Sequence, residues 1–147
     1  MAAIRLSPAS RRLAGVLLLS VVGVEFGGRF LTTVAQGEVE LTEFQQSFFR
    51  AGHAHAGVLL ILGLVCLLYA DAADVRGPWG WVTRLGVPVA AILMPAGFFF
   101  SAMGDGVTRA NGLIVLLYLG GLSLAAGVVS LGIGLLKPAD KLAPTGS

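Results

Sequence analysis

Apolar and polar positions alternate on a coarse scale along this chain, as four long apolar stretches separated by short polar ones. The first runs from Leu13 to Val24, is broken by Glu25 and Arg29, and resumes to Val34. The second opens near Phe48, passes through Arg50-Ala51-Gly52-His53-Ala54-His55-Ala56-Gly57, and is apolar from Val58 to Ala70. Trp81 to Met103 carries the third and Asn111 to Leu136 the fourth. A helix of about 20 mostly apolar residues crosses the roughly 30 Å hydrocarbon core of a bilayer. The pattern predicts an all-α integral membrane four-helix bundle, a single domain over residues 1–147. Its spans fall at about 12–34, 48–70, 81–103 and 111–136.

The boundaries carry their own signals. Pro8 and the serines around it argue against a stable helix before Arg11. The basic start, apolar run and Thr33-Val34-Ala35 imitate a secretory signal, but Glu25 and Arg29 lie inside the run and the span needs them to reach full length. Thr42-Glu43-Phe44-Gln45 has capping-box spacing, so a helix starts at Glu43. It either continues unbroken into the second span or makes an interfacial turn first, with Gly52 as a bend. Asp71, Asp74, Arg76, Gly77 and Pro78 form the next loop, and Trp79 and Trp81 stand at an interfacial anchor position. Pro88 and Pro95 lie inside the third span, where neighbouring helices must cover the lost backbone bonds. Gly104-Asp105-Gly106 is a turn, Lys137-Pro138 stops the fourth span, and residues 139–147 are expected to be a mobile tail.

Composition sharpens the class. Of the 147 residues, 56% are hydrophobic and 12% charged, against about 25% charged in soluble domains. Too little polar surface remains to cover a water-soluble core. The net charge of +2 comes from scattered Lys and Arg rather than a basic patch, which argues against nucleic-acid binding. The single cysteine, Cys66, excludes an intrachain disulfide and a cysteine-based zinc cluster. With four spans, Arg5, Arg11, Arg12, Arg76, Arg84, Lys137 and Lys141 share one side, and Arg29, Arg50 and Arg109 the other. Cytoplasmic loops carry the excess of Lys and Arg. Both termini are thus expected in the cytoplasm, and the histidine-bearing start of span two faces outward, in a multi-pass protein of the cell membrane.

Small residues mark close helix contacts in lipid, where apolar surface gives no drive for pairing. Gly120, Ser123, Gly127, Ser130 and Gly134 recur at spacings of 3 and 4, a seam on one face of span four. It serves either packing within the chain or contact with a second copy or a larger membrane complex. Gly23-x-x-x-Gly27 in span one and Gly52, Ala56 and Gly63 in span two are further close-packing candidates.

Ionisable residues inside spans are costly and are candidate site residues. Glu25 falls roughly 12 Å below the outer boundary, counting 1.5 Å per residue back from Thr33. Arg29 is one turn on, in the favourable order for an ion pair. His53 and His55 are about 200° apart on a helix and cannot meet one ligand there. His53 shares its face with Arg50 and small residues, so it is the inward candidate. Were the helix to start after His55, an extended His-x-His would offer both rings to copper or zinc. All eight phenylalanines fall in the outer half or its loops, together with Arg109. The candidate ligand-binding set is therefore Glu25, Arg29, Arg50, His53 and Arg109, in an aromatic outer pocket between spans one, two and three. His53 and His55 are the candidate metal ligands.

At Gly52-His53-Ala54-His55-Ala56-Gly57 the chain resembles small bacterial four-helix membrane proteins of uncharacterised function. Over about ten residues the His-x-His is also similar to ligand helices of the haem-copper oxidase and nitric oxide reductase superfamily. That resemblance implies haem or copper at His53 or His55. Those proteins draw histidines from several helices, whereas no second helix supplies one here, leaving a single axial histidine or ligands shared across an oligomer. Three functional classes follow: a membrane protein binding a small ligand or cofactor, a small oligomeric channel or transporter, and a non-catalytic accessory subunit. The first alone accounts for polar outliers at one depth in different spans. No Ser/His/Asp order, H-E-x-x-H or phosphate loop is present, so no catalytic residue is assigned and an enzyme is the least supported class.

Overall fold

The computed structural model describes residues 6–73 and 75–137; Asp74, Arg5, Lys141 and the tail at 139–147 lie outside them. The described residues form helices α1 (Pro8–Ala35), α2 (Glu43–Ala72), α3 (Gly77–Ser101) and α4 (Val115–Leu136), with a short 3₁₀ turn at Gly112–Ile114 before α4. Counting that turn into the last, all four segments are long and apolar enough to cross a membrane.

α1 begins earlier than the sequence led us to expect. Ser7 is its N-cap and accepts a hydrogen bond from the Ser10 amide at 3.2 Å. Pro8 follows in the first turn, where its missing N–H costs nothing and its fixed φ suits the helix. The capping box at Thr42 and Gln45 is formed in both directions, and α2 then runs unbroken for 30 residues. Gly52 is a point of close approach rather than a bend, since a Cβ there would lie 3.0 Å from both Phe98 and Phe99. Pro88 and Pro95 are buried within a continuous α3.

The four helices form a bundle opened out as a row, in which α2 reaches α4 as well as α3. α3 packs extensively on both α2 and α4, α1 packs on α2 and barely touches α3, and α1 and α4 do not meet among the described residues. Glycine explains the tightest seam. Gly86 of α3 lies so near Gly127 of α4 that a Cβ on Gly86 would be 2.4 Å from the Gly127 Cα. Ser123 Oγ donates to the Gly86 carbonyl at 2.9 Å, and the Thr83 and Ser130 hydroxyls share a hydrogen bond of 2.7 Å. Gly120 packs on Leu93 and Met94, and Gly134 on Val75. The small-residue seam of α4 is thus filled by α3 and its leading loop within the chain, and an oligomer contact has to use another face. Between α1, α2 and α3 the core is larger: Leu17, Leu59, Leu60, Leu67, Ala90 and Ala91 form one cluster.

Polar clasps fix both ends of the row. At the end holding the start of α1, Asp71 accepts from Arg84 Nη2 at 2.8 Å, from Ser10 Oγ at 3.0 Å and from the Ser7 amide at 2.8 Å. Arg84 also donates to the carbonyls of Gly80 and Val75. One ion pair thereby ties α1, α2 and α3. At the opposite end the buried Gln45 donates to the carbonyls of Ala102 at 3.0 Å and Gly104 at 2.7 Å, and Thr42 donates to the Val107 carbonyl.

Candidate functional site

His53 is placed by α2 against the stretch of α1 that lacks side chains. A Cβ on Gly27 would lie 3.3 Å from His53 Nδ1, and one on Gly28 would lie 3.3 Å from Cε1 and 3.5 Å from Nε2. The Gly27-Gly28 pair is therefore what admits an imidazole between the two helices. No described group hydrogen-bonds this ring, yet no enclosed side-chain polar atom lacks a partner. The unpartnered nitrogens of His53 therefore keep some access to open space.

His53 is also among the residues that line a cavity of about 360 Å³ between α1, α2 and α3. On α1 it extends from Leu13 to Gly27, about 21 Å at the helical rise. Leu17, Leu60, Pro88, Ile92 and Phe99 line it with apolar surface. The cavity exists because α1 leans on α2 without closing on α3, so its side between α1 and α3 is open. Ser20 also lines it, but its hydroxyl is turned back to the Val16 carbonyl at 2.9 Å. His53 is left as the polar group with spare hydrogen-bonding capacity, at one end of an apolar trough.

The other sequence candidates stand elsewhere. Glu25 and Arg29 are exposed on the flank of α1 turned away from the cavity, since Glu25 is about 200° around the helix from both Gly23 and Gly27. No ion pair joins them within 4 Å. Arg50 is exposed and reaches only to Gln46 Oε1 at 3.4 Å. Arg109 is exposed in the α3–α4 loop, beside a shallow recess with Met103 and Asn111. Of the five ligand-binding candidates, His53 alone lines the cavity.

The two histidines diverge, as helical spacing requires. His55 Nδ1 bonds the Ala51 carbonyl at 2.8 Å, and its ring lies on Phe98 with centroids 5.0 Å apart. Since α2 starts at Glu43, the extended His-x-His on which a chelate depended is not formed. Among the described residues no group of three His, Cys, Asp or Glu side chains is placed to hold a metal ion. The donor set therefore does not fit a copper site within one chain, and a haem would find one imidazole, pressed edge-on against α1. The phenylalanines pack mainly on one another: Phe30 meets Phe49, Phe49 meets Phe99, and Phe48 meets Phe98 at centroid distances of 5.4–5.9 Å. They join α1, α2 and α3 at this end, and only Phe99 reaches the cavity wall.

The Asp71–Arg84 clasp was not legible as a unit in the sequence, although an arginine inside span three was a signal that an acid had to be near. Comparison with protein-family models, curated proteins and solved structures finds no match to this chain.

Proposed function

We propose that this chain is a multi-pass membrane protein, with both termini cytoplasmic, that binds a small apolar molecule bearing one polar group. The ligand enters from the lipid through the open side between α1 and α3. Its apolar body lies along Leu17, Leu60 and Ile92, and its polar group bonds to His53. The observation that carries this reading is the unpartnered imidazole at the end of an otherwise apolar cavity. An apolar site with a single polar anchor is the usual anatomy for such ligands. A neutral imidazole both donates and accepts, so it serves a carbonyl, hydroxyl or phenol head equally. Counting back from Thr33, His53 beside Gly27 is roughly 9 Å below the outer boundary, so the head lies near the outer surface and the tail points inward.

Photo-crosslinking tests this in lipid nanodiscs with an acyl-chain alcohol carrying a diazirine. The wild type should be labelled on peptides containing Leu17 or Ile92. Gly23→Leu fills the cavity where a Cβ meets nothing within 4 Å, so labelling should vanish while the fold is kept. His53→Ala should weaken binding by about tenfold, the worth of one hydrogen bond. Equal labelling of the wild type and Gly23→Leu refutes the proposal.

A further inference from the structure

A second cavity, of about 520 Å³, lies between the start of α3, the loop before it and the end of α4. It shares no lining residue with the His53 cavity. Gly134 shapes it: a Cβ there would lie 2.5 Å from Val75 Cγ2 and 3.5 Å from Ala73 Cβ. With no side chain in the way, the α2–α3 loop seats on the end of α4. That seating brings Arg76, the next residue of the loop, to the same cavity as Lys137 at the α4 C-cap. On α4 the lining follows one face, Ala126, Val129, Ser130, Ile133, Gly134 and Lys137. From Ala126 to Lys137 the face runs about 16 Å at the helical rise, close to half of a roughly 30 Å hydrocarbon core. Polar and apolar parts are separated along it. Arg76, Trp79 and Lys137 stand exposed at the rim, and Val129 and Ile133, 57% and 55% exposed, form the deeper wall. The Ser130 hydroxyl is already bonded to Thr83 at 2.7 Å, so the two cations are the charged groups offered to a ligand.

We propose that this groove binds an anionic phospholipid, with the lipid phosphate between Arg76 and Lys137 and an acyl chain along Val129 and Ile133. The occupant is identified by charge and by shape. Counted along the sequence, this end of the molecule carries seven Lys and Arg against Asp71, Asp74 and Asp140, an excess of four positive charges. The opposite end carries three Arg against five acids, an excess of two negative charges. An anion is therefore drawn to this end, and the rim keeps a positive excess with Asp74 of the same loop set against its two cations. Arg76 takes part in another interaction within the chain, and a guanidinium with five N–H donors serves a second acceptor as well. Basic pockets between spans on the cytoplasmic side hold acidic headgroups, and with both termini cytoplasmic this is the leaflet that carries acidic lipids. The phosphate chemistry alone also suits a soluble phosphate ester. The apolar wall favours the lipid, because a soluble phosphate has nothing to lay against Val129 and Ile133. Charge at the rim and about 16 Å of apolar surface below it repeat the order of head and chain in a leaflet. Trp79 stands at the headgroup level, where an indole ring is favoured. The site uses neither His53 nor the cavity against α1, so either site can fail without the other.

Trp79 lines the groove and reports on it. Full-length protein carrying Trp81→Phe is reconstituted in phosphatidylcholine vesicles, and phosphatidylglycerol with dibrominated chains is titrated in. Dibrominated phosphatidylcholine is the reference, and bromine in contact with the indole quenches its fluorescence. The readout is the ratio of the two apparent binding constants, which does not depend on the orientation of the protein in the vesicle. Each cation near the surface is worth about fivefold. Phosphatidylglycerol should therefore be preferred about 25-fold, each of Arg76→Gln and Lys137→Gln should cut the ratio about fivefold, and the double variant should abolish the preference. Lys137 is exposed past the last turn of α4, so its replacement keeps the fold even if that of Arg76, the α3 N-cap, does not. R11Q/R12Q removes two cations from the same end but outside the groove and should leave the ratio unchanged. A ratio near one in the parent protein overturns the site, and so does an equal fall in R11Q/R12Q, which would mean diffuse surface charge. Millimolar inorganic phosphate, set against chloride at equal ionic strength, should leave the preference intact; if it abolishes the preference, the ligand is a soluble phosphate and the lipid assignment is wrong.

Discussion

Replacing Gly86 by alanine adds one methyl group where α3 and α4 come closest. A Cβ at Gly86 would lie 2.4 Å from the Gly127 Cα and 2.8 Å from both the Gly127 nitrogen and the Ser123 carbonyl oxygen. All three are backbone atoms, so no side chain can swing aside. Non-bonded carbons rest at about 3.5–4.0 Å, and the helices must part locally by about 1 Å or more. That movement stretches the 2.9 Å bond from Ser123 to Gly86 and the 2.7 Å bond between Thr83 and Ser130. Overpacking of this kind costs about 1–3 kcal/mol, and each interhelical hydrogen bond adds roughly 0.6 kcal/mol. Alanine returns up to about 1 kcal/mol as a better helix former. The net destabilisation should be about 1–3 kcal/mol. Gly121→Ala and Gly132→Ala are the controls: a Cβ at either position meets nothing within 4 Å, so only the helix gain remains. Reversible unfolding in mixed micelles, followed by the fluorescence of Trp79 and Trp81 on α3, reads the difference. If Gly86→Ala is as stable as Gly121→Ala, the α3–α4 crossing is not where the structure puts it.

Other consequences are equally checkable. Asp71→Asn leaves Arg84 without its anionic partner at a half-buried site, and should cost about 2 kcal/mol or more in the same unfolding assay. Replacing both Asp71 and Arg84 by apolar residues should cost less than the sum of the single changes. Gln45→Leu removes two bonds to the α3–α4 loop and leaves the Ala102 carbonyl unsatisfied, so a loss of about 1–3 kcal/mol is expected, with faster proteolysis near Asp105. A cysteine at Glu40 should react with a membrane-impermeant maleimide in intact cells, and one at Trp79 should react only after the membrane is opened; the reverse pattern would invert the orientation deduced from the Lys and Arg count.

The sequence by itself determined the four helices and their order, but it began α1 and α3 too late and gave Asp71, Gly77 and Pro78 to a loop where the structure has helix. Hydropathy over 20-residue windows is a local property, and the cap at Thr42 acts within one turn. Pro8 shows the limit of local reading, because whether a proline ends or begins a helix depends on the residue taking the cap. The 200° separation of His53 and His55 also followed from the helix alone. What only the tertiary structure decided was the partner of each face. The α4 glycine seam fitted a second copy as well as it fitted α3, because small residues favour close approach without naming the helix that approaches. Asp71 and Arg84 became one clasp only when three helix ends converged. Glu25, Arg29 and His53 share a depth in sequence, but depth says nothing of azimuth relative to a neighbour. Gly27 and Gly28 turned one side of α1 towards His53, and that choice sent Glu25 and Arg29 to the exposed flank.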